Sequence, residues 1–260
     1  MSSHSSPKDR FLAMAGSKSV LSAWLASPDP FTQEAFLKAD YDFVVLDMQH
    51  GLLDRADVRD AITRCYAFGK GAFVRVPVSG FGNASWVLDM GAQGVIMPMI
   101  ESAEDARVFV KHMKYPPLGL RSYAPIRAAP LAKGGDVDAY VETANSETFA
   151  FAMIETRTAL DALDEIAAID GIDGLFVGPA DLSIALSDDS RVDIDGERLK
   201  DAMRRVAEAA ERHGKVAAAY AGDAAHASAY WCRGYDYVGI SMDLKIVAEA
   251  AELLAKEAKG

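Results

Sequence analysis

Cysteine is nearly absent from this 260-residue chain, which carries only Cys65 and Cys232. Both lie in apolar, helix-like surroundings (ITRCYAF and AYWCRGY), far apart and without a histidine at metal-ligand spacing. That argues against a disulfide-stapled secreted scaffold and against a thiolate metal site, and two buried free thiols are expected. No apolar run reaches the roughly 18 residues that a membrane span requires. The first residues, MSSHSSPKDR, are polar and lack the apolar core of a signal peptide. A soluble, cytoplasmic protein with a disordered tail over residues 1–10 is the expectation. A basic excess is missing too: 27 Lys and Arg face 38 Asp and Glu. An acidic surface repels phosphate backbones and anionic lipid, so neither nucleic acid nor membrane is an expected partner.

Several catalytic signatures are also lacking. Gly80-Phe81-Gly82 is glycine-rich but has no P-loop lysine and no complete dinucleotide fingerprint. No G-x-S-x-G elbow supports a serine hydrolase. A Schiff-base aldolase needs a desolvated lysine inside its fold. Here Lys18, Lys70 and Lys215 fall at strand beginnings, and Lys111, Lys114 and Lys200 fall on helices. No Pro/Gly/Ser-rich linker divides the chain, so residues 11–260 read as one domain.

What the chain does contain is an alternation of buried strands with helices. Continuous apolar runs such as DFVVLD, FAFAMIE, DGLFVG and YDYVGIS mark strands covered on both faces. Strands are predicted at 20–26, 42–47, 72–76, 94–98, 149–155, 174–178, 216–220 and 235–241. Helices are predicted at 54–68, 102–113, 158–169, 198–213 and 223–233, with Gly171 and Gly214 as terminating residues. Eight such units in about 250 residues favour an α/β protein of the closed (β/α)8 TIM-barrel type over an open sheet. The last helix, 243–259, reads as the eighth helix on the outer ring.

In such a barrel the chemistry sits where strands end and βα loops begin. Those positions hold His50 (LDMQHG), Arg75 (FVRVP), Glu155 (MIET) and Asp181 (GPADLS). Each has an ordinary alternative: a loop histidine, a charge-balancing arginine, a paired glutamate, a helix-capping aspartate. Their convergence on one rim is what suggests a site. Two carboxylates without thiols suit a hard divalent cation, Mg²⁺ or Mn²⁺ first, with Co²⁺ or Zn²⁺ also conceivable. Such an ion chelates a 2-oxoacid and stabilises an enolate while a carbon–carbon bond breaks or forms. Arg75 would add charge at the enolate oxygen, and His50 would move the proton directly or through a water. Gly178 permits close approach, and the N–H groups of Ala180 and Asp181 would accept a carboxylate. No organic cofactor is implied. Arg127, in the stretch 118–133 expected over the barrel mouth, is open to two readings: contact with a distal substrate carboxylate, or simple solvation.

These segments, together with LDMGAQGVIMPMIESAEDA, KYPPLGLRS and VGISMD, resemble the HpcH/HpaI aldolases, the class II pyruvate aldolases, over about residues 21–254. The resemblance implies His50 as acid/base, Arg75 as transition-state stabiliser and Asp89 as the carboxylate raising His50 basicity, with Asp47 a further neighbour. It implies Glu155 and Asp181 as metal ligands, and Ala180 and Asp181 in contact with substrate. It also implies an eighth helix exchanged between subunits of a trimer or hexamer. Two positions depart from the pattern: Met153 replaces a common Gln at the oxoacid site, and Gln49 replaces a common Glu. The expected function is cleavage or formation of 4-hydroxy-2-oxoacids from pyruvate, or hydroxypyruvate, and an aldehyde. The alternatives are a CoA-ester lyase of the citrate lyase type, for which no basic cluster lies near the rim, and a non-catalytic 2-oxoacid-binding barrel.

Overall fold

Eight short parallel strands close on one another in chain order, β1 pairing with β8. In the computed structural model, which describes residues 6–260, the strands are β1 (Val20–Leu25), β2 (Phe43–Asp47), β3 (Gly71–Arg75), β4 (Gly94–Met97), β5 (Phe149–Ile154), β6 (Gly174–Val177), β7 (Val216–Ala221) and β8 (Tyr237–Met242). The helices are α1 (Pro7–Ala15), α2 (Pro30–Lys38), α3 (Arg55–Ala67), α4 (Phe81–Asp89), α5 (Ala103–Met113), α6 (Ala128–Lys133), α7 (Val137–Glu147), α8 (Arg157–Asp161), α9 (Leu163–Ala167), α10 (Pro179–Leu186), α11 (Glu197–Arg212), α12 (Ala224–Trp231) and α13 (Asp243–Lys259). All eight expected strands form. The helix expected over 158–169 is broken at Ala162 into α8 and α9. Gly171 and Gly214 do adopt left-handed conformations, at φ 95° and 62°.

Alternate residues of each strand point into the barrel or out toward the helices. Phe43, Phe73, Phe149, Phe151, Phe176 and Tyr237 point inward with Trp24, Met153 and Ile96 and form one buried cluster. The alternating set, such as Val44, Val74, Ala150 and Leu175, packs beneath the helices. Parity then decides what reaches the mouth. Counting inward positions up β2, β3, β5, β6 and β7 leads to Asp47, Arg75, Glu155, Gly178 and Tyr220.

Four expectations are corrected here. Residues 6–10 are not a disordered tail, and the boundary at residue 11 cuts through α1. Ser6 caps this helix in a reciprocal box with Asp9. Phe11, fully buried, plugs the barrel floor, with its ring centroid 5.4–6.1 Å from those of Phe43, Phe73, Phe149, Phe151 and Tyr237. Lys8 pairs with Glu211 and Asp236, and Arg10 with Asp173. The polar residues before it hid the apolar half of α1, in which Leu12, Met14 and Ala15 pack on the same cluster as Phe11; residues 1–5 lie outside the described residues. Second, Cys65 is buried but Cys232 is exposed at the end of α12.

Third, the stretch 118–133 does not cover the mouth. It follows the far end of α5, where the Arg121 N–H donates to the Lys114 carbonyl and Lys114 is held by Asp173 at the start of β6. Fourth, α13 does not lie on the outer ring. Asp243 is buried and accepts the Ala26 and Ser27 N–H groups at 2.9 and 3.0 Å, pinning the first turn to the end of β1. From residue 247 onward every residue is exposed, including Val247, Leu253 and Leu254.

Candidate active site

Asp47 is the best-connected side chain of the mouth. Fully buried, it accepts Arg75 Nε at 2.9 Å and Nη2 at 2.6 Å, and Trp24 Nε1 at 3.1 Å. It also accepts the backbone N–H groups of Gln49 at 3.0 Å and His50 at 3.3 Å. Asp47 and Arg75 face each other in the β2–β3 register, so strand pairing alone sets up the bidentate pair. Burial works to raise the Asp47 carboxyl. The Arg75 bonds and charge, the indole N–H and the His50 N–H outweigh it and hold the group below its ordinary range. The Arg75 guanidinium also lies over the Trp24 ring, 4.9 Å from its centroid. Gly51 completes the loop, because a Cβ there would fall 2.1 Å from the Asp47 carbonyl oxygen.

A second cluster faces it from β5 and β6. Glu155 is buried, and its Oε2 accepts the Met99 N–H at 3.0 Å. Met99 reaches this position in a left-handed conformation, φ 55°, unusual for a side chain of its size. Gly178 lies against Glu155; a Cβ there would fall 2.6 Å from Oε1. Burial, opposed by the Met99 N–H and reinforced by the neighbouring Asp181 charge, pushes Glu155 up to about 7. Asp181 and Ala180 are exposed in the first turn of α10. Pro179 begins that helix and its cap residue, Gly178, offers no side chain, leaving the next N–H groups free for an anion.

The other expected residues are placed as follows. His50 is exposed beside Asp47, which accepts its backbone N–H rather than its ring. Met153 is closed from solvent on β5, two residues below Glu155 and in register with Phe176. Gln49 has a buried Oε1 with no hydrogen-bond partner. Asp89 is not brought to His50. It ends α4, which leads away from the mouth, and its carboxylate bonds Arg121 at 2.6 Å. Within one chain it therefore cannot tune His50. Arg127 likewise meets the Thr63 hydroxyl on α3 and not the mouth. Sequence reasoning missed the role of Asp47 as the anchor of Arg75, missed Trp24 and Tyr220 altogether, and takes Met99 only for core filler on a strand. Strand parity, carried to the ends of β2 and β7, would have found Asp47 and Tyr220; nothing in the sequence marks the Met99 backbone.

Among the described residues no group of three or more His, Cys, Asp or Glu converges as a ready metal cage. The Glu155–Asp181 pair still fits a hard divalent cation: both donors are carboxylates, and Gly178 keeps space open beside Glu155 Oε1. Mg²⁺ in particular is commonly held by one or two carboxylates, with water and substrate oxygens completing its shell.

A closed parallel barrel with an acid pair, an anchored arginine and a histidine on its C-terminal mouth has the layout of a (β/α)8-barrel enzyme. Comparison with known proteins narrows this. Residues 20–250 match the family model described as HpcH/HpaI aldolase/citrate lyase. A hydroxypyruvate/pyruvate aldolase of Rhizorhabdus wittichii is 34% identical over 92% of this chain and 94% of its own. A 2-keto-3-deoxy-L-rhamnonate aldolase of Klebsiella pneumoniae is 33% identical over 88% and 85%. The crystal structure of an HpcH/HpaI aldolase/citrate lyase family protein from Burkholderia cenocepacia superposes with a TM-score of 0.88 at 30% identity, covering 98% of this chain and all of that one. The chain belongs to the HpcH/HpaI aldolase/citrate lyase family. Within it, the chain is a class II aldolase, an aldehyde-lyase.

Proposed function

We propose that this aldolase cleaves and forms 4-hydroxy-2-oxoacids, with pyruvate or hydroxypyruvate as the oxoacid half and an aldehyde as the other. The observation that carries the reading is the Glu155–Asp181 pair facing an Arg75 locked by Asp47. Glu155 and Asp181 would hold the divalent cation, Mg²⁺ or Mn²⁺ first by their all-oxygen donor set. Bound there, the ion serves as a Lewis acid on the oxoacid's keto group.

The chain's own groups do the rest. The first N–H groups of α10, at Ala180 and Asp181, hold the substrate carboxylate. Asp47 engages Nε and Nη2 of Arg75, leaving Nη1 to stabilise the negative charge that grows on the keto oxygen. In cleavage His50 takes the proton of the C4 hydroxyl as the C3–C4 bond breaks. The bonding pair moves toward the keto oxygen, C4 leaves as an aldehyde, and C3 regains a proton to give the free oxoacid. His50 acts directly or through one water.

The same proposal includes a homo-oligomer, trimer or hexamer, in the cytoplasm. Its support is α13, whose exposed Leu244, Val247, Leu253 and Leu254 find no cover on their own barrel, as an element exchanged between subunits leaves them. No helix among the described residues is long and apolar enough to cross a membrane.

The deciding experiment measures pyruvate or hydroxypyruvate release from a panel of 4-hydroxy-2-oxoacids. Activity is expected to vanish with EDTA and return with Mg²⁺ or Mn²⁺. Activity indifferent to chelation would overturn the assignment of Glu155 and Asp181.

A further inference from the structure

We propose that Tyr220 selects the oxoacid half of the reaction, its hydroxyl donating to a hydroxyl on C3 and so favouring 3-hydroxy-2-oxoacids such as hydroxypyruvate over pyruvate. The inference rests on the aldolase reading above and concerns the β7 wall, which adjoins the β6 side of the acid pair. Tyr220 occupies the inward position at the upper end of β7, above the inward-facing Ala218 and next to the Gly178 strand. Its ring meets Trp24 edge-on, 5.2 Å between centroids at 79°. Across the β7–β8 register stands Gly239, where a Cβ would fall 2.8 Å from Trp24 Cε3. The missing side chain lets the indole lean over β8 and meet the phenol. Trp24 is thus held between Arg75 on one side and Tyr220 on the other, and the phenol's direction is fixed by packing before any ligand arrives.

The neighbouring polar groups are already committed. The Trp24 N–H and two positions of Arg75 go to Asp47, and the Ser22 hydroxyl is bonded to Tyr237 at 2.9 Å. Met153 brings only a thioether from below. The half-buried Tyr220 hydroxyl makes no hydrogen bond with any described residue. Burial raises its pKa, with Arg75 and Asp47 acting in opposite directions, so near neutral pH it stays protonated and is a donor. A fixed donor with no internal partner discriminates in favour of the ligand that supplies an oxygen, because the ligand without one gives it nothing in place of the water it displaces. Pyruvate and hydroxypyruvate differ by that one oxygen.

The test compares the wild type with Tyr220→Phe, which keeps the ring against Trp24 and removes only the hydroxyl. With Mg²⁺ and one fixed aldehyde, kcat/KM is measured for hydroxypyruvate and for pyruvate as nucleophile. The hydroxypyruvate-to-pyruvate ratio is expected to fall about tenfold in the variant; a ratio within twofold of wild type overturns the proposal. Calorimetric titration of both acids in the presence of Mg²⁺ gives a readout independent of turnover. If the wild type converts neither acid, the aldolase reading fails, and the Tyr220 assignment is decided by that binding ratio alone: a drop supports it, equal ratios overturn it.

Discussion

Replacing Asp47 by Asn removes one negative charge and almost no volume, at a residue that accepts five hydrogen bonds from β1, β3 and the loop after β2. One carboxylate oxygen becomes an NH₂ group that must face either Trp24 Nε1 and Arg75 Nη2, at the Oδ2 position, or Arg75 Nε and the Gln49 and His50 N–H groups, at Oδ1, so in both cases donor meets donor. Arg75 keeps its charge with only 10% of its side chain exposed. Breaking a buried pair by neutralising one partner costs roughly 3–5 kcal/mol. Because Arg75 can relax toward the open mouth, the lower end, about 3 kcal/mol, is expected. The pH dependence follows from the lowered Asp47 carboxyl. The native state binds its proton more weakly than the unfolded chain, so the contribution is complete above the ordinary carboxyl range, near pH 4. It is lost as pH falls below that. Urea unfolding of metal-free wild type and variant should therefore show a constant gap from pH 7 to about 5 that narrows toward pH 3. With Arg75 unmoored, kcat should fall by about 100-fold, the scale of one lost oxyanion donor, with little change in metal affinity. A variant within 0.5 kcal/mol of wild type by the same scale, and equally active, would refute the view that Asp47 anchors Arg75.

Other perturbations probe other parts of the molecule. Glu155→Gln should weaken Mg²⁺ binding at least about tenfold at pH 7.5 by calorimetry, and an unchanged affinity would remove Glu155 from the metal site. Because the Glu155 pKa is raised to about 7, the metal-stripped wild type should lose stability as pH rises from about 4.5 to 7, the unfolded chain releasing this proton first; Glu155→Gln should flatten that slope. Phe11→Ala opens the barrel floor and should cost about 4 kcal/mol in urea unfolding, whereas a loss under 1 kcal/mol would mean that α1 is dispensable. Leu253→Lys combined with Leu254→Lys should lower the mass seen by light scattering if α13 docks on a neighbour, and a wild-type chain that is already a monomer would end the oligomer reading.

The fold was legible because parallel strands buried on both faces cannot hide their apolar runs, and all eight stand within a residue or two of their expected limits. What escaped was of two kinds. The first ten residues are polar, so local composition argued for a tail, while the apolar half of α1 that follows, Phe11 with Leu12, Met14 and Ala15, fixes the helix to the barrel floor. The exposed course of α13 depends on what else its surface can meet, and its Ala/Leu/Glu/Lys pattern fits an outer-ring helix equally well. At the mouth, the residue types that do chemistry were visible as strand-end punctuation, and Glu155 and Asp181 do come together. Asp89 shows what a motif leaves open: the position matches, and within one chain its carboxylate is turned to Arg121 and away from His50. The Asp47–Arg75–Trp24 lock required strand register, which no single segment reveals.

Trp24 also gives the protein an optical handle of its own. Its indole is tied to Asp47 by a hydrogen bond and flanked by the guanidinium and the phenol, so any anion or cation entering the mouth changes the field around it. Two other tryptophans, Trp86 and Trp231, lie on α4 and α12, away from that lock. Conversion of both to Phe would leave a single tryptophan, at the site, and with excitation selective for indole the arrival of each reactant could then be followed by stopped flow without any attached label.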